Sequence, residues 1–275
     1  MPGSSDAPIG MFDSGVGGLS VARAVLDGMP AEHLMYIGDT ARYPYGPKPA
    51  AEVRRYAMEL GRSLVDEYGV KAVVVACNTA ASVALDELAS TLPVPVIGVV
   101  EPGARALVRA TTSGRVGVIG TIGTISSGAY DRAIAQTGAL VSLVSTACPG
   151  FVEFVERDQT TGEEVTALAR RLLDPVRAAD VDALLLGCTH YPFLSDVIGE
   201  VMGTGVRLVS SADETATALR DVLGATGMLR VGDHGARRFA TSGDIEHFAK
   251  LGRRLLGPEL DDVVAWPNTD LNRGG

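Results

Sequence analysis

Short apolar runs alternate with amphipathic stretches almost from end to end of this chain. That is the pattern of parallel strands joined by crossover helices, and it places the chain in the α/β class. The spacing predicts strands over residues 9–12, 33–37, 72–76, 96–99, 115–120, 139–145, 183–186 and 206–209. Helices fill most of the gaps. Over 82–92, Val83, Ala84, Leu88 and Leu92 mark one apolar face, and Pro93 and Pro95 stop the helix. The polar turn SSADET starts another over 215–223, and a last strand and helix follow at 238–241 and 244–256.

A chain of 275 residues suits two packed α/β lobes or one large sheet. Strand ends decide for two lobes, because they carry a weak internal repeat. Strand IGMF ends in Asp13 and Ser14, and strand AVVVA ends in Cys77, Asn78 and Thr79. Later, strand RVGVIG ends in Thr121, and ALLLG ends in Cys188, Thr189 and His190. The expected architecture is two similar three-layer lobes with mainly parallel sheets, pseudo-symmetric, each carrying one cysteine at the carboxyl end of a strand. That is where open parallel sheets bind ligands. The predicted divisions are a discontinuous first lobe over 1–99 and 210–265, a second over 100–209, and a flexible tail over 266–275.

The formal net charge of -9, with no Lys/Arg cluster to interrupt it, disfavours direct contact with nucleic acid. Apolar runs stay well short of the roughly 20 residues a membrane span needs, and the start MPGSSDAP lacks the regions of a signal peptide. A cytoplasmic location is the expectation. Three cysteines are an odd number without a secretory signal, which favours free thiols over a disulfide framework.

Cys77 and Cys188 each follow an apolar strand and precede a predicted helix, so the helix macrodipole is expected to lower their thiol pKa values. A buried cysteine can also be a small hydrophobe at a strand end. Two of them at matched places with polar neighbours favour chemistry. Cys148, in TACPG, has no such companions and reads as structural. Asp13 and Ser14 open a loop whose glycines leave backbone N–H groups free at a helix start, a site suited to a carboxylate or phosphate. The spacing is not GxGxxG, so a dinucleotide is not favoured. His190, two residues after Cys188, can protonate, orient or relay for that thiol, as Asp13 can for Cys77. Tyr45 and Gly46 lie in the rigid loop RYPYGPKP. No HExxH, CxxC or histidine cluster suggests a metal. Lysine occurs only at 48, 71 and 250, none placed for a pyridoxal phosphate Schiff base.

The blocks DSGVGGLSV, GDTARYPYGPK, ACNTA, GCTHYP and a late TSGD resemble the bacterial glutamate racemases, within the cofactor-independent aspartate/glutamate racemase family. The likeness runs over almost the whole chain. It implies two lobes facing each other with the active site in the interlobe cleft, no cofactor, L- or D-glutamate as substrate, and D-glutamate supplied to peptidoglycan. Carried over by position, Cys77 and Cys188 match the two catalytic thiols, Cys77 acting on D-glutamate and Cys188 on L-glutamate. Asp13 and His190 match their assisting groups, and Glu156 a further carboxylate. Asp13, Ser14, Tyr45, Gly46, Asn78, Thr79, Thr189 and His190 match the substrate contacts. Glu153 departs from the small or apolar residue expected there. The resemblance leaves room for a homodimer and for DNA gyrase as a protein partner. Rival readings are a racemase for aspartate or another amino acid, a non-catalytic amino-acid or phosphate sensor, and a redox dithiol pair.

Overall fold

The computed structural model describes residues 4–260 and 262–267. Its elements run β1 (Ile9–Asp13), α1 (Leu19–Gly28), β2 (Leu34–Gly38), α2 (Ala50–Asp66), β3 (Ala72–Val75), α3 (Asn78–Thr91), β4 (Val96–Gly98), α4 (Val100–Ala110) and β5 (Arg115–Gly120). Next come α5 (Ile122–Ser126), α6 (Ala129–Gln136), β6 (Ser142–Ala147), α7 (Phe151–Glu156), α8 (Glu163–Ala178), β7 (Ala183–Gly187), α9 (Ser195–Met202) and β8 (Arg207–Val209). The last are α10 (Ala212–Ala225), β9 (Arg237–Thr241), α11 (Ile245–Leu256) and β10 (Val263–Ala265). Among the described residues no helix is long and apolar enough to cross a membrane.

The strands form two sheets, ordered β10-β9-β2-β1-β3-β4 and β6-β5-β7-β8, and every pairing is parallel. Four consecutive strands of each half therefore follow one order: the second strand, the first, the third, the fourth. β9 and β10 extend the first sheet at its β2 edge, so the chain returns to that sheet after completing the second.

Burial explains this arrangement. Each of β1, β2, β3 and β7 is buried along its whole length, as strands covered by helices on both faces must be. In the second sheet, Val116, Val118, Ala183 and Leu185 face one apolar cluster while Ile119, Leu184 and Leu186 face another, following the strand period of two. The first cluster is continuous with the core of the six-stranded sheet, reached through α4 and α6, so the two sheets share packing as well as a cleft.

Several boundaries differ from expectation. The predicted helix 82–92 begins instead at Asn78, with Cys77 as its N-cap residue. The strand predicted over 139–145 starts at Ser142, because Gly138 turns the chain at a positive φ and Leu140 is fully exposed. β10 was not anticipated. Trp266, assigned from sequence to a tail, is buried and donates its indole N–H to Ser63 Oγ at 2.8 Å. Residues 268–275 lie outside the described residues.

Candidate active site

Both sheets reverse strand order beside their first strand, at β1–β3 and at β5–β7, and such a switch point opens a crevice at the carboxyl ends of the strands. A cavity lies there, with walls from both halves. Ser14, Tyr45, Gly46, Cys77, Asn78 and Thr79 line it from one side, and Cys188, Thr189 and His190 from the other. Asp13 and Glu156 stand behind that surface. Asp13 is fully buried, and Glu156 reaches the site through His190.

Register places the first thiol. β1 and β3 pair as Phe12 with Val75, and carrying that pairing two residues further sets Ser14 level with Cys77. The Cys77 Sγ lies 3.6 Å from Ser14 Oγ accordingly. Gly120 pairs with Gly187, so Thr121 is the corresponding neighbour of Cys188. The counterpart of Thr121 is thus Ser14, not Asp13. Asp13 instead closes the glycine loop, its Oδ2 accepting the N–H groups of Gly18 at 2.9 Å and Gly15 at 3.3 Å. Its other oxygen is buried without a protein partner.

Burial pushes the Cys77 thiol up to about 12, and the Asp13 carboxylate adds to the rise. Donation from the Ala80 N–H and from Ser14 offsets this only in part. The lowering expected from the α3 macrodipole is therefore overturned at Cys77, because desolvation of a buried thiolate outweighs a helix terminus.

The Cys188 side is built differently. No α-helix follows the thiol directly; Tyr191–Leu194 form a 3-10 turn before α9. His190 Nδ1 lies 4.0 Å from Cys188 Sγ, and His190 Nε2 lies 2.8 Å from Glu156 Oε1. Burial opposes a charged imidazole, but Cys188 and Glu156 together prevail and push His190 up to about 10. Burial likewise opposes ionisation of Glu156, yet its contacts with His190 and His247 hold it below its ordinary range.

Polar contacts join the two walls. Tyr130 donates its hydroxyl to Asn78 Oδ1 at 2.6 Å, and the hydroxyls of Thr79, Thr121 and Thr124 lie 3.0–3.3 Å from one another. The Gly123 N–H donates to Gly46 O at 2.9 Å, an approach that needs glycine at 46, since a Cβ there would sit 2.7 Å from Thr121 Cβ. Tyr45 gives its hydroxyl to Asp39 rather than to the cavity.

Tyr43, Thr121, Cys148 and Glu153 also line the cavity, although the sequence does not assign them to the site. Tyr43 packs its ring against His190, with centroids 5.8 Å apart. Thr121 was visible as a strand-end residue of the repeat. Cys148, read as structural, lines the cavity, and burial pushes its thiol up to about 12. Among the described residues no group of three His, Cys, Asp or Glu side chains could hold a metal ion.

Comparison with known proteins agrees with this geometry. Residues 10–219 match the model of the Asp/Glu/Hydantoin racemase family. A glutamate racemase of Parafrankia sp. (strain EAN1pec) is 54% identical over 265 residues, covering 96% of this chain and 95% of that protein. The crystal structure of a glutamate racemase isoform from Bacillus anthracis matches with a TM-score of 0.87 and 39% identity, over 95% of this chain and 97% of that one. A glutamate racemase from Francisella tularensis, solved with D-glutamate, matches with a TM-score of 0.87 and 31% identity, over 94% of this chain and 97% of that one. With a family match across most of its length and a relative of more than half identity along nearly all of it, the chain belongs to the Asp/Glu/Hydantoin racemases, in the glutamate racemase branch.

Proposed function

We propose that this racemase interconverts L- and D-glutamate by direct proton transfer at Cα between two thiols, Cys77 and Cys188, on opposite walls of the cavity. One observation carries the reading: both sulfurs end equivalent strands of sheets with the same order and line one cavity from different sides. A thiolate takes the α-hydrogen as a proton from one face, breaking Cα–H and forming S–H. The opposite thiol then gives its proton to the other face of the resulting carbanion. The two sulfurs exchange protonation states, and proton exchange with solvent resets them, so the titration belongs to the pair.

The surroundings divide the work. His190, as an imidazolium 4.0 Å from Cys188 Sγ, stands beside the sulfur that takes the proton from L-glutamate. Cys77, pushed up to about 12, starts as the thiol that reprotonates the far face. Ser14, Asn78, Thr79, Thr189 and nearby backbone N–H groups are suited to hold the substrate carboxylates, with Gly46 and Tyr45 shaping the wall. Fixed donors in a water-poor cleft stabilise developing charge, and each 1.4 kcal/mol or so gained is a factor of about ten in rate. The D-glutamate formed is a precursor for peptidoglycan, as the family resemblance implies.

Incubation of the purified protein with L-glutamate in heavy water, with no added cofactor, tests the reaction. D-glutamate carrying deuterium at Cα is the expected product. Dependence on added pyridoxal phosphate, or inversion without deuterium entering, would overturn the scheme.

His190 also sets a pH dependence. Its folded pKa of about 10 lies above the ordinary 6.5, so its contribution to stability is complete below about pH 6.5 and is lost as pH rises through about 10. Activity should decline over the same upper range as the imidazolium loses its proton. Glu156→Gln removes a charge that holds that proton and is expected to move the alkaline limb of kcat/KM toward neutral pH. An unmoved limb would show that His190 does not govern it.

A further inference from the structure

Glu156 offers one carboxylate oxygen to each of two histidines. Oε1 lies 2.8 Å from His190 Nε2, and Oε2 lies 3.6 Å from His247 Nε2. Glu156 closes α7, packed with the four-stranded sheet, whereas His247 stands in the first turn of α11, which follows β9 of the six-stranded sheet. The pair therefore bridges the two halves of the molecule. It leads inward from a half-exposed imidazole, through Glu156 and His190, to Cys188.

The local chain holds His247 in place. Ser242 donates its hydroxyl to Asp39 Oδ1 at 2.7 Å and accepts the Ala41 N–H at 2.9 Å, which pins the segment after β9 to the end of β2. Asp244 then caps α11 by accepting the His247 N–H at 2.8 Å. Further along the same helix, Arg254 pairs with Asp158, two residues beyond Glu156, and its guanidinium lies 5.6 Å from the centre of the Phe193 ring. Helix α11 is thus tied at two points to the wall that carries Cys188. The groups around Cys77, namely Ser14, Asp13 and the Ala80 N–H, all come from its own half.

We propose that His247 is a positioning residue for one half-reaction only: by holding Glu156 from the opposite lobe it orients His190 and so sets the Cys188 sulfur, leaving Cys77 unaffected. This rests on the two-thiol reading.

The two enantiomers of glutamate have equal free energy, so kcat/KM must be the same in both directions for any variant. A one-sided defect must be read from which proton transfer limits the rate. Slower transfer at Cys188 makes abstraction from L-glutamate more rate-limiting and abstraction from D-glutamate less so.

The test compares full-length wild type, His247→Ala and His247→Lys with α-deuterated L- and D-glutamate. His247→Ala is expected to lower kcat/KM about three- to fivefold, the scale of a partly exposed ion pair. Its primary isotope effect on kcat/KM should rise with the L substrate and fall with the D substrate. His247→Lys, which again places an N–H donor opposite Glu156, should recover more than half of the lost activity and return both isotope effects toward wild type. General loosening would lower activity without moving the isotope effects in opposite directions. The proposal is overturned if the two effects stay unchanged or move together, or if the Lys variant behaves as the Ala variant does. Failure of the two-thiol reading shows separately, as racemisation by Cys77→Ala or Cys188→Ala.

Discussion

Cys77→Ala is expected to exchange the α-hydrogen of L-glutamate with solvent while forming no D-glutamate, and Cys188→Ala to do the same with D-glutamate only. Each variant keeps one of the two proton carriers. The surviving thiolate can remove a proton from the face it meets and return another to that face, but nothing on the opposite wall completes the inversion. Loss of a positioned acid or base typically costs about 10²–10⁴-fold, so racemisation should drop to that degree or further. Both sulfurs are buried, and truncation to Ala leaves only a small void at each strand end, so the fold should survive. Deuterium incorporation measured on each recovered enantiomer in heavy water checks the assignment. Exchange on the same enantiomer in both variants would refute it, as would normal turnover in either.

Gly17→Ala should reduce kcat/KM by about 10²-fold with little change in resistance to denaturant. A Cβ on Gly17 would lie 2.5 Å from Thr189 Oγ1, 2.8 Å from the Thr189 carbonyl carbon and 2.9 Å from His190 Nδ1. The second of these is backbone and cannot rotate aside. Gly17 belongs to the loop after β1, and Thr189 and His190 follow β7, so the added methyl wedges the walls apart at the level of the thiols. A displacement of about 1 Å between reacting groups is enough for a loss of that size. Gly17 is not among the glycines with positive φ, so the backbone itself accepts alanine and the effect isolates wall spacing. Wild-type kinetics in this variant would mean that the cleft tolerates a wider gap than proton transfer between fixed sulfurs allows.

Strand ends are legible from the sequence because β1, β3 and β7 are buried on both faces and run apolar almost to their ends, which makes the first polar or thiol residue at each carboxyl end conspicuous. Asp13, Cys77 and Cys188 could be found that way. The start of α3 could not, since Asn78 and Thr79 turn polar side chains to the cavity and break the apolar periodicity that a helix shows elsewhere. β10 and Trp266 offer only a few residues at a sheet edge, too short for a period. Tyr43, Cys148 and Glu153 reach the cavity from the segment after β2, the end of β6 and α7, an encounter set by tertiary packing rather than by spacing. The acidity of Cys77 was misjudged for a related reason: chain neighbours reveal the helix terminus, but depth of burial depends on every element packed around it.

Repetition of one strand order in the two halves bears on a problem of handedness. Chains of L-residues cannot build the mirror image of a binding wall. A half-turn rotation, however, exchanges the two faces of a planar carbon, so a unit used twice and turned against itself can present the same kind of group to both faces. A strand order used twice, with one sulfur at the end of each third strand, supplies the repeated unit that such an arrangement requires. β9, β10 and α11 have no counterpart in the other half, and α11 brings His247 to the Cys188 side alone.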